Sequence, residues 1–220
     1  IRYRGDPVAL VVAKDRGVAH DAARRVQVEC EPLEPVYDAI RALEDDAPQL
    51  FSAGNLALEY SLAYGDIAQG ERQADLVVNG VLSTPPVEHG YLEPESGMAE
   101  WADDRLTISS GCQNPEAIHP LLSSILGIPE QSIRLLVPPL GGGFGGKLGI
   151  SIQALLALAA YVTKRRVKMT LTREESLAFT GKRHGMRMSY RMGFDRNGPF
   201  QFLDGDIVAT GAHIDRAVTL

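Results

Sequence analysis

Five glycines surround a single aromatic in the run Gly141-Gly142-Gly143-Phe144-Gly145-Gly146, and Lys147 follows directly. The run strips the backbone of side chains where a bulky ligand could approach. Glycine tolerates positive φ and leaves amide N–H groups open to phosphate or other anionic oxygens. The apolar stretch over residues 150–160 predicts a helix just beyond, so the implied order is strand, glycine loop, helix.

Several spellings compete for that loop. It fits G-x-x-x-x-G-K, but the next residue is Leu148, where a nucleotide-hydrolysing loop needs a Ser or Thr hydroxyl for magnesium. It also fits G-x-G-x-x-G through Gly141, Gly143 and Gly146, yet the next acid downstream is Glu174, too far on to hold a ribose. A glycine-rich turn with no ligand is the remaining alternative.

The periodicities predict an α+β chain. Residues 8–13 and 26–30 read as strands around a helix over 18–25, a small α/β unit. Residues 44–54, with Asp45, Asp46 and Pro48, read as a linker, which divides the chain into 1–50 and 51–220. In the second part, 76–82, 106–109 and 133–137 read as strands and 150–161 as a helix buried on nearly every face. A helix over 114–126 has Asn114 as N-cap and Gly127 at its end, with Pro120 expected to delay its start. Residues 186–194 and 200–209 read as a hairpin around the turn at 195–198. Its methionines are spaced for one strand face rather than for a soft-metal box. The basic trio Lys164-Arg165-Arg166 suits a helix C-terminus.

Formal net charge is −6, which offers nucleic acid or an anionic membrane no positive footprint. No apolar run of membrane-spanning length and no leader-like start is visible. Cys30 and Cys112 are too few for zinc or an iron–sulfur cluster and too sparse for a disulfide scaffold. A reducing compartment, the cytoplasm, follows as the expectation, with Cys30 in a buried strand and Cys112 as inert packing. Among the histidines, His89 and His184 stand in motif-like surroundings, whereas His20, His119 and His213 are expected at solvent or in local caps.

Four segments taken together carry a resemblance. His89-Gly90-Tyr91-Leu92-Glu93-Pro94-Glu95, Cys112-Gln113-Asn114-Pro115, the glycine run, and Arg173-Glu174-Glu175-Ser176 followed by Lys182-Arg183-His184 resemble, in order, the molybdenum-binding portion of the xanthine dehydrogenase and aldehyde oxidase family. The opening, Arg2 through Ala9, is similar to that family's segment ahead of the cofactor domain. The resemblance implies a small, hammerhead-like α/β unit followed by part of a mixed α/β molybdopterin-binding domain. It implies molybdopterin with molybdenum, alone or as a dinucleotide, and iron–sulfur clusters and FAD on other chains or segments.

Carried over by position, Gln113 matches a glutamine that hydrogen-bonds a metal oxo ligand, and Gly142, Gly143, Phe144, Gly145 and Gly146 match the cofactor cradle. The alternatives are that Gln113 solvates the helix start, that Phe144 sits in a core and that His89 is a satisfied core histidine. The activity implied is hydroxylation of an aldehyde or N-heteroaromatic carbon with oxygen from water. The family's general-base glutamate comes from a region beyond this chain, so no catalytic residue is assigned within it. Where purine-hydroxylating relatives commonly carry an acid at the substrate, this chain has Leu148, an expectation against xanthine and toward aldehydes. A start at Ile1 and the short length lead us to expect a fragment or split subunit, completed by the remaining molybdenum-binding segment and by iron–sulfur and flavin subunits. A non-catalytic folding or assembly module is the alternative function.

Overall fold

The computed structural model describes residues 1–3, 5–211 and 217–219, which form two compact units. The first joins Ile1–Glu31 to Glu88–Gly181; the second joins Pro32–Val87 to Lys182–Leu220.

The first unit is built on a four-stranded sheet in the order β5-β4-β3-β6, from β3 (Ser96–Ala102), β4 (Arg105–Ser110), β5 (Ile133–Leu136) and β6 (Val167–Thr170). Strands β3 and β4 form a hairpin whose turn residues Asp103 and Asp104 both take positive φ (50° and 54°), a conformation short Asx side chains accept. Strand β5 then pairs parallel to β4, which requires a crossover; α3 (Pro115–Leu126) supplies it. Asn114 caps α3 by accepting from the Ala117 amide, and Gly127 ends it in the left-handed region. Pro120 does not delay the helix, which begins at Pro115. Proline costs one backbone bond there, and the burial of Ile118 and Leu122 on either side holds the turn.

Helix α4 (Ile152–Thr163) lies on the same sheet, with Ile152, Leu156, Ala157 and Ala160 packed among Ala99, Leu106, Ile108 and Ile133. Lys164 closes α4 with positive φ and places its ammonium 4.2 Å from the Trp101 ring centre and 4.0 Å from that of Tyr161. Arg166 forks onto Glu100. Two of the three basic residues at this helix end, Lys164 and Arg166, are thus engaged locally. Helix α5 (Arg173–Phe179) starts with a full capping box between Thr172 and Glu175.

The strands expected over residues 8–13 and 26–30 do not form. Helix α1 (Arg16–Ala23) stands between them, capped by Asp15, but the flanking segments carry no ladder among the described residues. Alternating β-branched residues favour extended backbone; a strand also needs a neighbour to pair with, and none lies alongside. Cys30, expected in a buried strand, is exposed for the same reason.

The second unit carries a five-stranded sheet, β1-β9-β8-β7-β2, from β1 (Leu56–Glu59), β2 (Leu76–Thr84), β7 (Met186–Phe194), β8 (Phe200–Thr210) and β9 (Ala217–Thr219), with α2 (Ile67–Gln73) against β8. The expected β7–β8 hairpin is present, turned by residues 195–198 with Gly198 at φ 100°. The segment read as a linker is a packed turn. The buried Asn55 side chain accepts from the Leu50 amide at 2.9 Å and donates to Ala42 and Pro48 carbonyls at 3.0 Å each. His213 lies outside the described residues, as does Arg4.

Leu156, 1% exposed beneath the first sheet, is the test of that core. Leu156→Ala is expected to destabilise the protein by about 2–5 kcal/mol, read as a lower urea midpoint at unchanged slope.

Candidate functional site

Because β4 and β5 are parallel neighbours, the connections that leave their C-terminal ends emerge side by side. One carries Gly111, Cys112 and Gln113 into α3, and the other carries residues 137–151 into α4. Strand β3 runs antiparallel to β4 and pairs Gly97 with Ser110, so the segment 88–95 that feeds it arrives at the same end. Three stretches far apart in sequence are brought together by this topology alone.

Gln113 joins the first two. Its backbone N–H donates to the Lys147 carbonyl at 2.8 Å, and its side-chain Oε1 accepts from the amides of Gly145 and Lys147, each at 3.1 Å. Two donors on one atom identify that atom as the carbonyl oxygen, so the Nε2 group is the free end, and it has no acceptor among the described residues. Inside the loop, Gly146 donates to the Gly143 carbonyl at 2.7 Å. The amides of Gly142, Gly143 and Phe144 find no protein acceptor among the described residues. These donors and the Gln113 amide make a polar, uncharged surface suited to accepting oxygens.

The glycines are required by their surroundings. A Cβ on Gly143 would fall 2.5 Å from Gln113 Oε1, and one on Gly146 would fall 2.7 Å from Tyr91 Cε1 and 2.9 Å from His89 Nδ1. Gly142 and Gly145 take φ 103° and 95°, closed to most side chains. Phe144 also has positive φ, 51°, and its side chain is 73% exposed. It is therefore not a core residue. Leu148 is half exposed at the end of the run.

The ends of the loop are held by Glu93. Its N–H donates to the Gly141 carbonyl at 3.2 Å, its Oε2 accepts from the Gly141 amide at 2.5 Å, and both its backbone carbonyl and Oε2 accept from Lys147 Nζ, at 2.9 and 3.3 Å. The Lys147 side chain is buried, with its ammonium 4.7 Å from the centre of the Tyr91 ring. Tyr91 is the floor beneath Gly142 and Gly146. Its hydroxyl donates to Glu95, and burial, reinforced by that carboxylate, pushes its ionisation far above the usual phenol range. Behind the loop, Gln153 accepts from the Ser151 amide at 2.8 Å and donates to the Gly111 carbonyl at 3.0 Å, latching the start of α4 to the Gln113 connection.

Gln113, Gly142, Gly143, Phe144, Gly145, Gly146 and Leu148 thus form one continuous locus in the first unit. In the sequence, Tyr91 and Glu93 stand within a motif that gives them no evident task. The spacing of 48 and 54 positions between Glu93 and its partners leaves no periodic signal to find. His89 packs its ring on Gly145 and Gly146, with Nδ1 buried and unbonded among the described residues. His119 bonds the Ile133 carbonyl and His184 the Thr210 carbonyl, both local roles. Cys112 is buried, and burial pushes its thiol above the usual range, as inert packing requires.

Gly143→Ala is expected to cost about 1–3 kcal/mol by breaking the Gln113 bonds, whereas Gly149→Ala, which meets open space, should change the denaturation midpoint negligibly. A thiol reagent such as DTNB should label Cys30 rapidly in the native chain and reach Cys112 only after denaturation. Fast native labelling of both would contradict the packing around Cys112.

Residues 50–219 match the model of the molybdopterin cofactor-binding domain. The chain is 34% identical over 215 residues to the nicotinate dehydrogenase large molybdopterin subunit of Eubacterium barkeri, covering 97% of this chain and 51% of that protein. It is 36% identical to a probable xanthine dehydrogenase subunit of Bacillus subtilis (strain 168), again over 97% of this chain but 29% of that one. The solved aldehyde oxidoreductase from Desulfovibrio gigas superposes with a TM-score of 0.84 at 24% identity, over 90% of this chain and 22% of its own, a likeness of fold. The chain therefore spans about half of one curated relative and under a third of the other. With most of its length matched by the family model, the chain belongs to the molybdopterin cofactor-binding domain family.

Proposed function

We propose that this chain supplies part of the molybdenum cofactor cradle of a molybdopterin-dependent hydroxylase, with Gln113, Gly142, Gly143, Phe144, Gly145 and Gly146 as the residues that hold the group. The observation that carries this is the Gln113 Nε2 group beside three loop amides, all without an acceptor among the described residues, on a surface that side chains are sterically barred from filling. A pterin ring system and a metal–oxo centre are rich in acceptors and bulky, and a bare, donor-lined hollow fits both. When bound, the group supplies transfer of water-derived oxygen to an electron-poor carbon and takes up the electrons released.

The chain's own part is to bind and orient. Gln113 Nε2 donates to an acceptor without adding charge, the loop amides do the same, and Phe144 presents an exposed ring beside them. Leu148, half exposed at the loop's end, borders the substrate in this reading and offers it apolar contact only. An aldehyde or a neutral N-heteroaromatic ring suits that side chain better than an acceptor-hungry purine.

The remaining parts follow from the same reading. The rest of the molybdenum-binding segment or a companion subunit brings the general base, and iron–sulfur and flavin subunits carry electrons away, all in the cytoplasm. No helix among the described residues is long and apolar enough to cross a membrane. The family match begins at residue 50, which supports a cofactor domain that starts near there, whereas residues 1–31 and 32–49 pack into the two different units of the fold.

Co-expression with neighbouring subunits tests the proposal. Near-stoichiometric molybdenum and released pterin are expected, falling at least about tenfold in Gly146→Val, whose side chain has no room beside Tyr91. Metal-free wild-type complex would instead favour a folding or assembly module. In active complex, Leu148→Glu is expected to raise kcat/KM for xanthine relative to an aldehyde by about tenfold, as a new acceptor at the substrate would. An unchanged ratio removes Leu148 from the substrate site.

A further inference from the structure

The motif-like lysine after the glycine run faces away from any guest. Lys147 follows a loop whose spelling, in phosphate-binding proteins, sends a lysine to the ligand. Here its side chain is 3% exposed and points beneath the loop, where Nζ meets the Glu93 carbonyl at 2.9 Å, Glu93 Oε2 at 3.3 Å and the Tyr91 ring at 4.7 Å. All of these partners are protein groups. Glu93 in turn bonds both the N–H and the carbonyl of Gly141, the other end of the loop.

We infer that Glu93 and Lys147 are positioning residues: a charge-neutral clamp that closes the base of the glycine loop and fixes its amides for a cofactor that Lys147 itself never touches. This rests on the cofactor reading above and deepens it. The logic is electrostatic and mechanical together. Residues 141 and 147 bracket the run, and Glu93 bonds both, so the loop is pinned at its two ends, while Gln113 pins Gly145 and Lys147 from the other side. Removing the Glu93 carboxylate leaves the Lys147 ammonium desolvated under the loop, and removing Lys147 frees the partly exposed Glu93 side chain from one of its two anchors, so in either case the loop is free to lift. The bracket's failure should therefore appear first as motion of the segment it holds, where Phe144 is 73% exposed.

Phe144 makes this measurable, because a chymotrypsin-type protease cleaves after an aromatic residue only when the local backbone opens. The assembled complex, purified from cells grown with and without molybdate, would be digested as wild type and as Lys147→Met, Glu93→Gln, the double variant and Lys147→Arg. In molybdate-starved complex, each of the first two should be cut after Phe144 at least about tenfold faster than wild type, with the double variant no faster than the singles within about twofold. Lys147→Arg, which can still pair with Glu93, should restore most of the protection. In molybdate-grown complex, pterin and molybdenum content should fall in parallel for Lys147→Met and Glu93→Gln.

Cleavage within about twofold of wild type in both singles would overturn the clamp. So would cofactor loss in Lys147→Met with full retention in Glu93→Gln, because it would put the ammonium on the cofactor. Should Lys147→Met fail to fold, the isosteric Glu93→Gln decides the matter on the same readouts. Wild-type complex that takes up no molybdenum would defeat the cofactor reading while leaving the digestion to judge the clamp.

Discussion

One oxygen atom organises the site. Gln113 Oε1 accepts two loop amides at once, and the same residue's N–H reaches the Lys147 carbonyl, so a single side chain stitches the connection after β4 to the connection after β5. A glycine-rich segment left to itself samples many conformations and would have to give up that freedom on meeting a ligand. Bonding it to Gln113 moves that loss into folding. The arrangement also decides which end of the amide faces outward, since the oxygen is already engaged and only the donor remains.

That stitch depends on the parallel pairing of β4 and β5, which in turn depends on α3 and α4 covering the sheet. Parallel strands put their following loops at one end, and a crossover helix is what permits the pairing. The apolar faces of α3 and α4, with Ile118, Leu122, Ile152 and Leu156 fully or nearly fully buried, hold the strands in that relation. Gln153 couples the two levels directly, since it accepts from the Ser151 amide just ahead of α4 and donates to the Gly111 carbonyl two residues before Gln113. Core packing and site geometry are therefore not separable in this unit.

What could be read from the residues divides along the range of the interactions. The glycine run, helix α4, the capped ends of α3 and the β7–β8 hairpin are local patterns, and each appears where its pattern put it, whereas the late start expected for α3 from Pro120 does not occur. Residues 8–13 are a β-branched run and 26–30 alternate, yet neither pairs with a strand among the described residues, because such patterns report a preference for extended backbone and say nothing of a neighbour. In the site, Gln113 and the glycines were legible through their motifs. The Glu93–Lys147 pair was not, because a partly buried ion pair between residues 54 positions apart leaves no spacing to recognise. The G-K spelling even points the other way, toward a lysine that reaches out to an anion.

Phe144 shows how these constraints combine. A bulky residue at φ 51° is strained by about 1–2 kcal/mol, and glycine at that position would remove the strain. The conformation persists because the surrounding bonds leave no alternative: Gly145 is held by Gln113, Gly146 by the Gly143 carbonyl, and Gly141 by Glu93. Such strain has no use in packing, because the ring it carries is largely exposed and fills no core. In the proposed reading, this outward-facing aromatic, held at a backbone cost beside amides that have no acceptor among the described residues, is one wall of the cofactor site. The energy that keeps Phe144 in place is supplied by the same bonds that shape the glycine loop, so cradle and ring stand or fall together.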